Sequence, residues 1–250
     1  MKRWPWLLLL SLLLPACGGR SDYRNVDLVE AARVNTSLGI DYMRKGQVEQ
    51  AMEKLKRAVE QNPDYAPAHT ALAFVYSRAG DPENAEKEYR KALTLDSGNP
   101  DTRNTYGVFL CGKGKVAEAE RNFLEAAQDK KYKTPEAAWT NAGVCVRKTD
   151  LEKAERYFRQ ALERNREFPD ALAQMGWLCY QKKDYWCARA FLQRYETFGR
   201  PTAETLWIGM QTERALGDDD AAERYERRLR TDFPESDEAA NLRKTKAEQK

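Results

Sequence analysis

The sequence contains only one histidine, His69, among its 250 residues. A catalytic triad or a histidine-containing zinc site needs its histidine beside a nucleophile or several further ligands, and no such set accompanies His69. The glycine-rich phosphate-binding motifs GxxxxGK(S/T) and GxGxxG are absent from the sequence. We therefore expect that the protein is not an enzyme and has no catalytic residues, metal site, cofactor or small-molecule substrate.

The sequence also lacks a large excess of charge of either sign. The 42 Lys and Arg residues are balanced by 39 Asp and Glu residues, which gives a formal net charge of +3. Proteins that bind nucleic acid usually carry a clustered basic surface, so we expect no nucleic-acid partner. The two signs alternate along the chain, as is typical of the solvent-exposed sides of amphipathic helices.

Long hydrophobic runs are limited to one short segment near the N-terminus. The run Leu7–Leu14 is too short to span a membrane, because a transmembrane helix needs about 20 apolar residues. Two basic residues precede the run, and Ala16 and Cys17 follow it. Residues 1–16 therefore resemble a bacterial lipoprotein signal peptide.

Cys17 is the residue that such a signal leaves at the N-terminus, with lipid attached to its sulfur. Residues 17–31 would then form a lipidated N-terminus and tether, in which the polar stretch 18–25 is flexible. Gly18 after the cysteine, where an aspartate would indicate inner-membrane retention, favours the outer membrane. The alternative is an ordinary secretory signal peptide that is cleaved nearby.

A pattern of about 34 residues recurs six times between residues 32 and 235. Its clearest copy contains Leu38-Gly39, Tyr42 and Gly46, and the next copy places similar residues 34 positions later. This is the spacing of tetratricopeptide (TPR) repeats, in which two antiparallel helices, A and B, form each unit and stack on their neighbours. The sequence therefore predicts an all-α TPR superhelix of six helix-turn-helix repeats over 32–235, followed by a charged C-terminal cap or tail over 236–250.

A small residue recurs in the middle of helix A. The six copies are Gly39, Ala73, Gly107, Gly143, Gly176 and Gly209. Glycine inside a helix costs about 1 kcal/mol relative to alanine, so its recurrence predicts a close approach of helices A and B. We expect these positions to face small residues on helix B, namely Ala51, Ala85, Ala119, Ala154, Ala188 and Ala221.

The following position of helix A points into the concave groove in TPR proteins, and it is apolar in all six repeats. With Tyr65 added, the predicted partner-binding groove consists of Ile40, Tyr65, Phe74, Val108, Val144, Trp177 and Met210. Such a groove suits an amphipathic helix or an extended apolar peptide, and we place the main contact in the first three repeats. The alternative, that some of these residues form the core between repeats, is strongest for Val108 and Val144.

Four cysteines remain once Cys17 is assigned to the lipid. Cys111 and Cys145 lie on the A helices of consecutive repeats, and stacked helix axes are about 8–10 Å apart, so these two residues can reach disulfide distance. Cys179 and Cys187 lie across one helical hairpin, where the sequence leaves both a second disulfide and free thiols open. An even number of cysteines in an exported chain favours disulfides.

Several segments are more specific than a general TPR pattern. They are Ala31–Asn35, Asn104–Gly114, Leu206–Gly209, Arg214–Asp218 and Phe233–Ser236. Together these segments resemble the type IV pilus biogenesis and stability lipoproteins called PilF or PilW, and the likeness extends over residues 17–236. The sequence departs from the usual lipoprotein signal at Pro15, where alanine or serine is common.

The resemblance implies a pilotin, a lipoprotein anchored in the periplasmic leaflet of the outer membrane that helps the pilus secretin to localise and assemble. The lipid would provide the membrane anchor, and the groove would bind the secretin as its protein partner. The resemblance also implies a disulfide between the third and fourth repeats, which Cys111 and Cys145 match. We expect a monomer. The rival hypothesis, a general periplasmic TPR scaffold lipoprotein for peptidoglycan or outer-membrane protein assembly, fits the composition and period equally well.

Overall fold

The computed structural model describes residues 20–248, and every regular element in that part of the chain is an α-helix. The helices are α1 (Arg20–Arg44), α2 (Val48–Gln61), α3 (Ala66–Arg78), α4 (Pro82–Leu95), α5 (Pro100–Gly112), α6 (Val116–Gln128), α7 (Pro135–Val146), α8 (Leu151–Arg164), α9 (Pro169–Gln181), α10 (Tyr185–Phe198), α11 (Ala203–Ala215), α12 (Asp219–Asp232) and α13 (Asp237–Glu248). The first twelve form six stacked A–B hairpins, so the predicted all-α solenoid is confirmed. The signal segment 1–16 and Cys17 lie outside the described residues.

Helix α1 is longer than any other helix and begins before the first repeat. The prediction of a flexible tether was wrong for residues 20–25, which are helical. The physical reason is that no proline or glycine occurs between Arg20 and Leu38, so nothing interrupts the helix that the first repeat requires. Between Arg20 and Glu248, no helix is both long enough and apolar enough to cross a membrane.

Glycine closes helix A in four of the six hairpins. Gly46, Gly80, Gly114 and Gly217 have φ values of 73°, 78°, 74° and 76°. This left-handed conformation disfavours residues with a Cβ atom, so glycine is well suited to ending helix A at these four positions. In the fifth hairpin, Lys183 adopts the same conformation with φ 60°.

Aspartate begins helix B in four repeats. The carboxylates of Asp81, Asp150, Asp184 and Asp218 each accept a hydrogen bond from a backbone N–H in the first turn of the helix that follows. These caps satisfy backbone donors that have no partner inside the helix. Asp81 and Asp218 directly follow the left-handed Gly80 and Gly217, so glycine and cap together form the tight turn between helices A and B in these two repeats.

The recurrent glycines of helix A permit close packing on helix B. A Cβ atom at Gly39 would lie 2.5 Å from Leu55, and one at Gly107 would lie 2.6 Å from Phe123. The predicted close approach is confirmed, but the facing residue is a large side chain four positions after the predicted alanine. The absence of a side chain on helix A leaves room for the large side chain on helix B, which fills the space between the helices.

The step from the third to the fourth repeat contains the longest loop, between α6 and α7. Tyr132 in this loop is buried against Trp139 of α7, so the loop packs on the hairpin. A disulfide between the same two repeats joins Cys111 of α5 to Cys145 of α7, with Cα atoms 5.7 Å apart. A second disulfide joins Cys179 and Cys187 across the fifth hairpin.

His69 is a buried residue of α3 that links α4 to the loop before α3. Its Nδ1 atom lies 2.5 Å from Oε2 of Glu88 on α4, and its Nε2 atom lies 2.8 Å from the carbonyl oxygen of Pro63. Burial lowers the pKa of His69, but the hydrogen bonds to Glu88 and Pro63 outweigh this effect and raise the pKa above its usual 6.5. The doubly protonated imidazolium can donate to both oxygens at once.

The free energy of unfolding should therefore fall as the pH rises from 6.5 through the folded-state pKa of His69. Because the folded-state pKa is raised, the contribution of His69 is complete below pH 6.5 and is lost as the pH rises through the folded-state pKa. Urea denaturation at a series of pH values measures this loss. Since the chain has no second histidine, His69→Gln should remove the dependence in this range. An unchanged pH profile in that variant would contradict the assignment.

Candidate protein-binding groove

The A helices form the inner wall of the solenoid. Across the part of the chain that the structure describes, each A helix packs directly against the next A helix, whereas consecutive B helices lie farther apart and meet through long side chains, such as Glu120 of α6 and Lys153 of α8. The array therefore curves with α1, α3, α5, α7, α9 and α11 on its concave side. Concave surfaces of this kind are the usual binding surfaces of repeat proteins.

An apolar cavity lies between the A helices of the first three repeats, with a volume of about 620 Å³. Ile40 and Met43 of α1 form one wall, and Ala71 and Phe74 of α3 form the centre. Leu55 of α2 closes the floor. A partner that enters this cavity would bury apolar side chains on both sides.

Polar groups line the third wall of the cavity, which α5 provides. The hydroxyl of Thr70 lies 2.8 Å from that of Thr102, and this hydrogen bond joins α3 to α5 at the base of the groove. Thr105 and Asn99 also border the cavity. These groups can orient a bound peptide, while the apolar walls provide most of the buried area.

The charges around the cavity offset each other. Arg44 and Asp101, both exposed, line its rim, and Arg44 also lies 3.2 Å from Asp41. The cavity therefore lacks the cluster of basic side chains that would bind a peptide carboxylate or a phosphate. Its chemistry fits an apolar segment of a protein.

The predicted groove residues differ in their exposure along the solenoid. Ile40, Phe74 and Val108 are exposed on successive A helices, and the first two line the cavity. Val108 lies outside the cavity lining, and Tyr65 is a half-buried residue just before α3. The open part of the apolar stripe is thus confined to the first three repeats.

The later members of the stripe are less accessible. Val144 and Trp177 are half-buried, and the Trp177 ring lies 4.5 Å from the guanidinium carbon of Arg147. The prediction for Met210 was wrong, because Met210 is fully buried. It belongs to the cluster in which α13 packs against α11 through Ala239 and Leu242, so no partner can reach it.

Several cavity residues were missed by the sequence analysis. Pro67, Thr70, Ala71 and Thr105 line the cavity but do not occupy the recurrent groove position. The helical period contains a signal for two of them, because Thr70 and Ala71 lie four and three residues before Phe74 and share its side of α3. For Thr105 on α5, the sequence shows no comparable signal.

Family comparisons agree with this geometry. Models of the TPR repeat and the tetratricopeptide repeat match residues 39–80, 66–99 and 146–203. Type IV pilus assembly protein PilF of Pseudomonas aeruginosa is 34% identical over 208 residues, which cover 83% of this chain and 82% of that protein. The chain belongs to the PilF/PilW family of type IV pilus biogenesis TPR proteins. The resemblance seen in the sequence is therefore confirmed.

Solved structures of the PilF/PilW family also match most of the chain. P. aeruginosa PilF matches with a TM-score of 0.77 and 32% identity, over 88% of this chain and 99% of the PilF chain. PilW, described as a widely conserved type IV pilus biogenesis factor, matches with a TM-score of 0.75 and 28% identity, over 84% of this chain and 97% of the PilW chain. Both likenesses therefore include most of this chain.

Proposed function

We propose that the protein is an outer-membrane lipoprotein that acts as a pilotin of the type IV pilus. Its groove binds the pilus secretin and promotes secretin localisation and multimerisation in the outer membrane. Membership of the PilF/PilW family supports the pilus role. The observation that carries the proposed binding mode is the open apolar cavity between α1, α3 and α5.

The groove fits a protein segment with two or more apolar side chains on one side. Ile40 and Phe74 stand on neighbouring helices and leave the cavity open between them. Burying one large apolar side chain contributes roughly 1.5–3 kcal/mol. An amphipathic helix or an extended strand from the secretin would bury several, which is enough to hold a transient assembly intermediate.

Phe74→Glu should weaken secretin binding at least tenfold, because it places a charge in the centre of the cavity and removes about 1.5–3 kcal/mol of apolar burial. Phe74 is 40% exposed, so the helical content and unfolding midpoint should change little. Co-purification of the secretin with the variant measures binding. The fraction of secretin in detergent-resistant multimers measures the consequence in the cell.

Trp177→Glu is the matched control, because Trp177 is a large aromatic residue on a later A helix outside the cavity. It should retain secretin binding. Loss of binding in Trp177→Glu with normal binding in Phe74→Glu would place the secretin contact in the later repeats and contradict the proposed cavity. Normal secretin multimers in a deletion strain would instead favour a general envelope scaffold.

Cys17 is the lipid-bearing residue in this proposal. Cys17→Ser should abolish labelling by a fatty acid and release the protein into the periplasmic fraction, because serine lacks the sulfur that the lipid is attached to. The double variant Cys179→Ser/Cys187→Ser is the control and should be labelled like the wild type. Equal labelling of Cys17→Ser would disprove the anchor without affecting the groove.

A further inference from the structure

Among residues 20–248, no hairpin covers the stacking surface of the first repeat. Val34 and Leu38 lie one helical turn apart on α1 and are 49% and 42% exposed. In later repeats, the position of Leu38 is occupied by Leu72, Tyr106, Ala142, Met175 and Ile208, which are all buried. In repeats two to five, the position of Val34 is occupied by Ala68, Thr102, Ala138 and Ala171, also all buried. The first repeat thus has the apolar residues of a stacking interface without the hairpin that covers them elsewhere.

The opposite end of the solenoid is closed. Helix α13 packs on α11 and α12, and its Ala239 and Leu242 are buried in the last hydrophobic cluster. Terminal repeats normally need a polar outer surface or such a capping helix. The apolar residues at the N-terminal end are therefore an exception within the same chain.

Acidic residues border the exposed pair on both sides. Asp27, Glu30 and Asp41 are exposed and continue the same helical stripe, at spacings of three or four residues. The guanidinium of Arg33 lies 3.9 Å from the carboxylate of Glu30, and that of Arg44 lies 3.2 Å from the carboxylate of Asp41. Both ion pairs are exposed, and exposed ion pairs contribute little to stability. We call the stripe of Asp27, Glu30, Val34, Leu38 and Asp41 the end surface.

The charge pattern distinguishes among the partners that could cover the end surface. A second copy would place acidic residues opposite acidic residues, and an anionic membrane surface would repel them as well. A helix with apolar residues in the centre and Lys or Arg at its edges would match both the apolar pair and the acidic border. A helix also fits the shape, because helices cover the same positions in every later repeat.

We propose that the end surface docks an amphipathic helix with basic edges from another protein, stacked on α1 as a preceding repeat would be. This is a second interaction surface, beyond the groove of the proposed function. Leu38 and Ile40 are two residues apart and point to nearly opposite sides of α1, since successive residues are rotated by about 100°. One partner can therefore occupy the groove while another occupies the end surface.

Site-specific photocrosslinking in the native cell tests the proposal. Leu38 is replaced by p-benzoylphenylalanine in the full-length protein, with Thr94, an exposed residue of α4, as the control position. We expect an adduct at position 38 and none at position 94. Mass spectrometry should map the adduct to a helical segment of another protein with Lys or Arg beside its apolar residues. The charge-reversing change Asp27→Lys/Asp41→Lys should lower the adduct yield at least tenfold, with an unchanged circular dichroism spectrum.

Other outcomes would overturn the proposal. These are an adduct with a second copy, with lipid or with another part of the same chain, no adduct at all, and a yield that charge reversal leaves unchanged. The Phe74→Glu change separates this proposal from the groove. It should abolish secretin co-purification and leave the position-38 adduct intact, so either proposal can fail alone.

Discussion

Gly143→Ala is expected to lower the free energy of unfolding by about 2 kcal/mol, although alanine is the better helix former. A Cβ atom at position 143 would overlap the ring of Phe158 on α8, which is fully buried in a cluster with Met175 and Leu178 of α9. The ring cannot move away without displacing its neighbours. The cost of this overlap exceeds the gain of up to about 1 kcal/mol in helix propensity.

Gly112→Ala is the matched control, because Gly112 also lies in helix A of its repeat but a Cβ atom there would meet open space. It should leave stability unchanged or raise it by up to about 1 kcal/mol. Urea denaturation followed by circular dichroism measures both variants. If the two alanine variants were equally stable, close A–B packing would not be the reason for the glycine.

The repeat architecture could be predicted because it depends on local and periodic signals. The 34-residue period and the recurrent glycine of helix A are both visible in the sequence, and both have their predicted structural role. Lys183 could not be predicted in its left-handed conformation, because lysine has no intrinsic preference for it. The surrounding hairpin imposes it.

The candidate groove could be predicted only in part, because exposure depends on what packs nearby. Ile40, Phe74 and Met210 occupy the same position of the repeat. Ile40 and Phe74 line the cavity, whereas Met210 is buried in the cluster that α13 completes. The sequence places α13 after the last repeat but does not state which residues it covers. Similarly, Thr105 enters the cavity because α5 leans against α3, a relation that the period alone does not contain.

The end surface shows the reverse case, in which a sequence signal acquires meaning only from the structure. Leu38 matches the TPR pattern as well as Leu72 does, so the sequence predicts similar burial for both. The structure buries Leu72 under the first hairpin and leaves Leu38 open. The difference arises from position within the array, because no hairpin precedes α1 among the described residues.

Loss of the Cys111–Cys145 disulfide should have the largest effect on stability, about 3.5–4 kcal/mol. The disulfide closes a chain segment that contains α6 and the loop before α7, so its removal releases many conformations in the unfolded state. It also joins α5 and α7 across the longest loop of the array. The double variant Cys111→Ala/Cys145→Ala should therefore melt at a temperature lower by on the order of 10 °C, as measured by circular dichroism.

Cys179→Ala/Cys187→Ala is the matched control, since it removes a disulfide with a sequence separation of 8 instead of 34. The entropic contribution of a disulfide grows with the length of the chain it closes, so the control should lose less stability. Reduction of the wild type should reproduce the sum of both effects and should add nothing in a variant that lacks all four cysteines. Four reactive thiols in protein isolated from the periplasm would contradict both disulfides. If the two double variants lost equal stability, the disulfide between α5 and α7 would not be what holds the third and fourth repeats together.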